Sequence, residues 1–342
     1  MKRGEKTMSV VKAIFSNFGA FLMAAIMAFI PTSGIELPIL NTSEENCLLN
    51  VEMISDTHLE ANGIFRQAFL KTGLKNLKRS KAAVDALVVT GDLTNYGDEP
   101  ALAEFYEIIK NDFDGQAIIA AGNHDIGHVG DRDVTNITRE EAKANVIRYY
   151  NEYSGRDLTE NYYSETINGF KFIVIGDDVI DGGHWDAMDM SPEQLQFLDE
   201  ELAEGTKDGK PAFVCCHWPV DNINGQETIW PDCGIDLEDN DIKSIMEKYP
   251  NVYYISGHMH AGIKSSAYGE MFGLKTAEQV NGVTYISLPT YGIINMFGNP
   301  LSGTGAQLEV YADKVVFRPR NFITGKWYTN AAYEFELADV MK

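Results

Sequence analysis

Five short apolar runs in this chain lead directly into aspartate, asparagine or histidine. Cys47 to Ser55 runs into Asp56-Thr57-His58, Ala86 to Thr90 into Gly91-Asp92, and Gln116 to Ala121 into Gly122-Asn123-His124-Asp125. Ala212 to Cys216 runs into His217, and Val252 to Ser256 into Gly257-His258-Met259-His260. Apolar runs of this length, bounded by turn residues, read as buried strands. In open α/β sheets ligands gather outside the carboxyl ends of the strands. The pattern therefore asks for a fold that brings five such ends together.

The segments between the runs read as helices. Phe65, Phe69, Leu70, Leu74 and Leu77 recur at helical spacing, which predicts a helix over Ile64 to Lys81. Asp98-Glu99-Pro100 opens a second, with Leu102, Phe105, Tyr106 and Ile109 on its apolar face. Thr138 followed by Glu141 fits a capping box for a helix to about Tyr150, and Ser191-Pro192 opens one to about Glu204. Asp241 to Tyr249 reads as a further helix. Asn168-Gly169 joins two strand-like runs, Tyr162 to Ile167 and Phe170 to Ile175, as a hairpin. Val283 to Leu288 is a further strand, and Gln307 to Leu337 holds three more strand-like runs. This order, βαβα followed by consecutive strands, predicts an α/β core with mixed sheets. No internal repeat, linker or second-domain boundary shows. Three long irregular stretches, 126–137, 218–239 and 290–305, are places where function or motion concentrates.

Composition narrows the partners. Hydrophobic residues make up 44% of the 342, enough for a sizeable core. Against 28 Lys and Arg stand 50 Asp and Glu, a net charge of -22. Such a surface lacks the footprint of a nucleic-acid binder, so no nucleic-acid polymer is expected as partner unless a metal site supplies positive charge. Residues 1–34 differ from the rest. Lys2, Arg3, Lys6 and Lys12 precede a mostly apolar run from Ala13 to Ile30, and Pro31 to Gly34 follow. This is the layout of a secretory signal. An uncleaved anchor is the competing reading, with membrane attachment through residues 13–30. Either places the protein outside the cytoplasm, with residues 35–342 as the domain. Export permits disulfides among Cys47, Cys215, Cys216 and Cys233. Cys215 and Cys216 lie within an apolar run and read as strand core.

The polar strand ends hold a coherent donor set. In extended chain, residues i and i+2 point to one side, so Asp56 and His58 face one point, as do His258 and His260. Gly91, Gly122 and Gly257 precede polar residues and allow close approach. The donors are carboxylate, imidazole and amide oxygen, with no thiolate among them, which suits Mn, Fe or Zn. Seven donors (Asp56, His58, Asp92, Asn123, His217, His258 and His260) exceed one tetrahedral ion and suit two ions sharing a carboxylate, the arrangement used for in-line attack at phosphorus.

Asp56-x-His58, Gly91-Asp92, Gly122-Asn123-His124-Asp125, His217 and Gly257-His258-x-His260, in that order, resemble the calcineurin-like metallophosphoesterase superfamily. The likeness leans to its cyclic-nucleotide phosphodiesterase-like branch. The resemblance implies a four-layer fold, a two-sheet β-sandwich flanked by helices. It implies one metal on Asp56, His58, Asp92 and His260, a second on Asp92, Asn123, His217 and His258, and Asp92 as the bridge. His124 would serve the phosphoryl group and leaving oxygen, with Asp125 orienting its ring, and a hydroxide on the metals would attack. The function implied is hydrolysis of a small phosphodiester or phosphomonoester, nucleotide-like or glycerophospho in kind. A non-catalytic metal-containing scaffold on the same fold is the alternative.

Singly, these residues have plainer readings. A strand-end Asp caps a turn, and His217 before Trp218-Pro219 suits a satisfied core histidine. His128 and His184 suit surface loops. Asn95 either contacts substrate or forms a turn. Trp218, Trp230, Tyr291 and Phe297 either wall a pocket or pack in the core. The acidic run Asp232 to Asp241 reads as a solvated face. Oligomeric state stays open.

Overall fold

The computed structural model describes residues 46–79, 83–126, 137–179, 187–231, 233–235, 241–261, 263, 273–292, 302–338 and 341. The N-terminal signal or anchor, His128, His184, Phe297 and most of the acidic run lie outside them. Among the described residues, twelve strands form two mixed six-stranded sheets flanked by helices.

The first sheet holds β1 (Leu49–Ile54), β2 (Ala86–Thr90), β3 (Gln116–Ala120), β10 (Thr304–Val310), β11 (Lys314–Asn321) and β12 (Tyr333–Glu336) in the order β12-β11-β10-β1-β2-β3. β1, β2 and β3 run parallel, with Met53 beside Val88 and Val88 beside Ile118. β10 pairs antiparallel with β1, Val51 facing Leu308. The second sheet holds β4 (Tyr163–Ile167), β5 (Phe170–Val174), β6 (Ala212–Cys215), β7 (Val252–Ser256), β8 (Ala277–Val280) and β9 (Val283–Ser287) in the order β4-β5-β6-β7-β9-β8. Its four central strands are parallel and its edges antiparallel. β2, β6, β7 and β9 are buried along their whole length, as continuous apolar parallel strands must be.

Six α-helices lie among the described residues: α1 (Ile64–Arg79), α2 (Glu99–Asp112), α3 (Arg139–Ser154), α4 (Pro192–Gly205), α5 (Gln226–Ile229) and α6 (Asp241–Met246). Their starts follow local chemistry. Asp98 caps α2 by accepting from Ala101 N, Thr138 and Glu141 form the reciprocal capping box of α3, and Ser191 caps α4 through Gln194 N. α1 packs beside α2, and α2 beside α3. α4 packs on β5 and α6. β3 is the last strand of its sheet, and its outer edge is capped by side chains. Tyr163 Oη bonds both N and O of Ile119 at 2.9 Å, and Tyr153 Oη accepts from Ala117 N at 3.1 Å. These phenols occupy backbone groups that would otherwise recruit another strand.

The hairpin at Asn168-Gly169 forms as expected, both residues having positive φ (51° and 84°). A second hairpin, β8 to β9, turns on Asn281-Gly282 with φ of 49° and 88°. The sequence pattern does not reveal β8, because Ala-Glu-Gln-Val offers no apolar alternation and lies half-exposed. The stretch 218–239 contains the one-turn helix α5, and β10 begins at Thr304 inside the stretch read as irregular. No disulfide joins the four cysteines among the described residues. Cys215 and Cys216 are fully buried, the strand-core role their context predicts.

The parallel strands set the site. β1, β2 and β3 end at one edge of the first sheet, and β6 and β7 end at one edge of the second. The chain after β9 laces the two together: Thr290 pairs with Ser55, Tyr291 N donates to Ser55 O at 2.8 Å, and Gly292 N to Asp56 O at 2.9 Å.

Candidate metal centre

The five polar strand ends converge. His58 Nε2 lies 2.9 Å from His260 Nε2 and 3.5 Å from Asp92 Oδ2, and His260 Nε2 lies 3.0 Å from Asp56 Oδ1. A second set adjoins it. His217 Nε2 lies 3.3 Å from Asp92 Oδ1, 3.1 Å from Asn123 Oδ1 and 3.1 Å from His258 Nδ1. Neighbouring ligands about 2.0–2.1 Å from a shared ion stand roughly 2.9–3.4 Å apart, and most of these separations match. Asp92 belongs to both sets, one oxygen to each.

The donors fit a metal on a second ground. Asp56 Oδ1 is fully buried yet accepts no hydrogen bond. A buried carboxylate oxygen in that state calls for a cation. The four donors Asp56, His58, Asp92 and His260 have ligand atoms within 4.8 Å of one another. Backbone groups from neighbouring loops hold the carboxylates in place. His258 N donates to Asp56 Oδ2 at 3.3 Å and His124 N to Asp92 Oδ1 at 3.0 Å. His217 Nδ1 faces Thr90 O at 2.8 Å, which fixes its hydrogen there and leaves Nε2 to the site.

The route by which these residues converge differs from the expected one. Asp56, His58, Asp92, His258 and His260 all have positive φ, between 45° and 66°. They do not continue an extended strand, so alternation is not what aligns Asp56 with His58 or His258 with His260. Each pair sits on a left-handed turn just past a strand end. That conformation costs a non-glycine residue roughly 1–2 kcal/mol, and interlocked loops enforce it. Asp56 N donates to Gly91 O, His58 N to Asp92 O and Leu59 N to Leu93 O, all within 3.0 Å. Clustering of backbone strain at one place is a mark of functional sites.

Glycine permits the close approach at two positions. A Cβ on Gly122 would stand 2.2 Å from Asp92 Oδ1, and one on Gly257 would stand 2.6 Å from Asp56 Oδ2. No larger residue fits either place without moving a carboxylate.

Electrostatics suit cation binding. Burial pushes His58 and His258 well below the usual imidazole range, so both present lone pairs. Burial also opposes a charge on His217, but the adjacent Asp92 carboxylate outweighs it and raises that ring to about 9. Burial likewise opposes ionisation of Asp92, but His217, His124 and His58 together hold it well below the usual carboxylate range.

His124 stands at the rim. Its side chain is one-quarter exposed, and Nε2 lies 4.0 Å from Asp92 Oδ2. Its Nδ1 faces Asn95 O at 3.0 Å. Asp125 does not orient this ring, contrary to the role carried over from the resemblance. Its carboxylate accepts from Gly122 N, Leu93 N, Thr94 N and Thr94 Oγ1, at 2.8–3.0 Å. Buried among backbone donors, it staples the loop after β3 to the loop after β2. Burial first, and the Asp92 charge second, push it up to about 6.

Of the aromatics, Trp218 is fully buried, edge-on to the His217 ring at 5.3 Å, and backs the ligands instead of lining a pocket. Tyr291 is buried against α1, its hydroxyl donating to Phe69 O. Glu60 and Arg66 also meet at the rim, and no sequence pattern singles them out.

A calcineurin-like phosphoesterase family model matches residues 50–262, more than half of the chain and all of the donors described above. This chain belongs to the calcineurin-like phosphoesterase family. A Rhodococcus erythropolis protein named a probable cyclic nucleotide phosphodiesterase is 32% identical over 178 residues, which are 48% of this chain and 50% of that protein. The fold is similar to that of a purple acid phosphatase from yellow lupin (Lupinus luteus) seeds, with a TM-score of 0.56 at 13% identity over 84% of this chain and 53% of that one. The chain thus spans about half the length of each. The two-sheet sandwich flanked by helices that the resemblance implies, and the α/β core with mixed sheets read from the element order, are the fold observed.

Proposed function

We propose that this calcineurin-like phosphoesterase is an exported phosphodiesterase that works with two metal ions on a small nucleotide-like or glycerophospho ester. The observation that carries the reading is Asp92, whose two oxygens face separate donor sets, His58 on one side and His217 on the other. Asp56, His58, Asp92 and His260 would hold one ion, and Asp92, Asn123, His217 and His258 the other. The ions, when bound, lower the pKa of a water toward neutrality and neutralise charge on the phosphoryl group.

The protein's own groups do the rest. His124 holds a proton on Nε2 at the rim. As the P–O bond breaks, that proton passes to the departing oxygen, and the alcohol leaves neutral. Burial of the donor rings and carboxylates excludes bulk water, which strengthens each interaction on the phosphoryl oxygens. The likeness to a protein named for cyclic nucleotides supports a diester. The net charge of -22 supports a small substrate, since a surface this acidic repels long polyanions. The basic and apolar layout of residues 1–34 supports export.

A substrate panel with Mn, Fe and Zn tests the reading. Bis(p-nitrophenyl) phosphate, cyclic nucleotides and glycerophosphodiesters should be turned over, lost on chelation and regained on adding metal, while polymeric DNA and RNA stay intact. Full metal content without turnover on any monoester or diester would refute it. The mass of the secreted protein's N-terminus tests export.

A further inference from the structure

Three side chains that donate to no metal set tie the loop after His58 to His124. Glu60 Oε1 accepts from Arg66 Nη1 at 3.0 Å and from Asn95 Nδ2 at 2.9 Å. Arg66 Nη1 also donates to His58 O at 2.5 Å. Asn95 is therefore held twice by one segment, its main-chain N donating to Leu59 O at 2.9 Å and its side chain to Glu60. The Asn95 carbonyl is the atom that faces His124 Nδ1, at 3.0 Å.

We propose that Glu60 is a positioning residue for His124, acting by fixing Asn95 so that the Asn95 carbonyl holds the ring. This rests on the reading of His124 as the acid. A carbonyl only accepts, so Nδ1 carries hydrogen in either charge state of the ring, and the proton that moves is the one on Nε2. His217 uses the same device, with Nδ1 on Thr90 O and Nε2 turned to the donor set. The two carbonyls differ in support. Thr90 is the last residue of a buried strand in a parallel ladder. Asn95 lies on a loop, and besides its main-chain bond to Leu59 the Asn95 side chain is anchored through Glu60. Glu60 takes one of the two hydrogens on the Asn95 amide nitrogen and so ties that side chain to the loop. Arg66 keeps Glu60 in place and links it to the carbonyl of a metal donor, so the acid and the metal set share one frame.

Glu60 is unsuited to a purely structural role. Its side chain is 42% exposed, and an exposed ion pair adds little stability. Loss of its carboxylate frees the Asn95 side chain and lets the carbonyl tilt. A displacement of about 1 Å in a positioned group costs on the order of 10²-fold.

The test compares metal-loaded wild type, Glu60→Ala, Glu60→Gln and His124→Ala on aryl methyl phosphates whose phenol leaving groups range from 4-nitrophenol to 4-methylphenol. The readouts are metal content and the slope of log kcat against leaving-group pKa. A misplaced acid slows poor leaving groups most. Glu60→Ala should keep full metal, hold KM within about threefold, and lose about tenfold more rate on the poorest leaving group than on the best. Glu60→Gln, whose amide oxygen still accepts from Asn95, should return toward the wild-type slope. A uniform loss across the series, or lost metal, would overturn the proposal in favour of a structural role. His124→Ala separates the two claims. If its slope steepens while that of Glu60→Ala does not, positioning by Glu60 fails and the acid stands. If its slope equals wild type, the acid reading itself fails.

Discussion

Replacing Gly122 by alanine tests how tightly the shared carboxylate is held. The added methyl carbon would stand 2.2 Å from Asp92 Oδ1, 2.5 Å from Asp92 N and 2.9 Å from His217 Cδ2. Optimal contacts of carbon with other heavy atoms lie near 3.5 Å, so Asp92 or the loop must move by roughly 1 Å. A change of rotamer does not solve the problem, because one of the crowded atoms is the Asp92 backbone nitrogen. The displaced oxygen is the one facing His217 and accepting from His124 N. A shift of that size in a catalytic constellation costs about 10²-fold, before any metal is lost. The assay is kcat/KM on bis(p-nitrophenyl) phosphate, with metal per chain measured on the same sample. We expect Gly122→Ala to lose at least about 10²-fold in kcat/KM and to retain less metal than wild type. Gly155→Ala is the control. Gly155 has φ of 73° and nothing within 4 Å of its Cβ position, at the end of α3. It should lose about 1 kcal/mol of stability through backbone strain and leave kcat/KM unchanged. A Gly122→Ala protein with full metal and kcat/KM within threefold of wild type would refute the reasoning.

Three other outcomes follow from the same geometry. His124→Ala should keep its metal and lose about 10²–10⁴-fold in kcat on a diester with an alkyl leaving group, checked by kinetics beside metal analysis. Metal should bind the His217 set more tightly as pH rises. In the metal-free protein that ring holds its proton up to about 9, and the proton must leave before Nε2 can bind. Apparent affinity should therefore climb about tenfold per pH unit from 7 toward 9 in a calorimetric titration, and a flat profile would contradict the assignment. Asp125→Ala should leave Gly122 N, Leu93 N and Thr94 N buried without their acceptor. At about 1 kcal/mol or more each, the melting temperature should fall by about 5–10 °C, and an unchanged melting curve would argue against the staple.

Much of the site is legible in the sequence because its chemistry is written in residue types. Asp56, His58, Asp92, Asn123, His217, His258 and His260 each follow a buried apolar run, and parallel pairing of those runs brings their ends together. Gly122 and Gly257 are legible too, since glycine before a polar residue signals close backbone approach. Other parts are not. The left-handed turns at Asp56 and His258 are set by bonds between loops far apart in sequence, such as Asp56 N to Gly91 O, and no local pattern carries them. The partners of His124 and His217 are the main-chain carbonyls of Asn95 and Thr90, atoms that every residue type possesses. Asp125 sits next to His124 in sequence, yet its carboxylate turns to the backbone of the neighbouring loop, where four donors outweigh one ring. β8 escapes notice because an edge strand need bury little, although Asn281-Gly282 carries the same turn signal as Asn168-Gly169.

The most direct test of the shared-carboxylate account is an anomalous-scattering map from crystals of the protein loaded with Mn. Two peaks are expected, one among Asp56, His58, Asp92 and His260 and the other among Asp92, Asn123, His217 and His258, with the Asp92 carboxylate between them. A single peak, or a pair in which Asp92 touches only one ion, would contradict it.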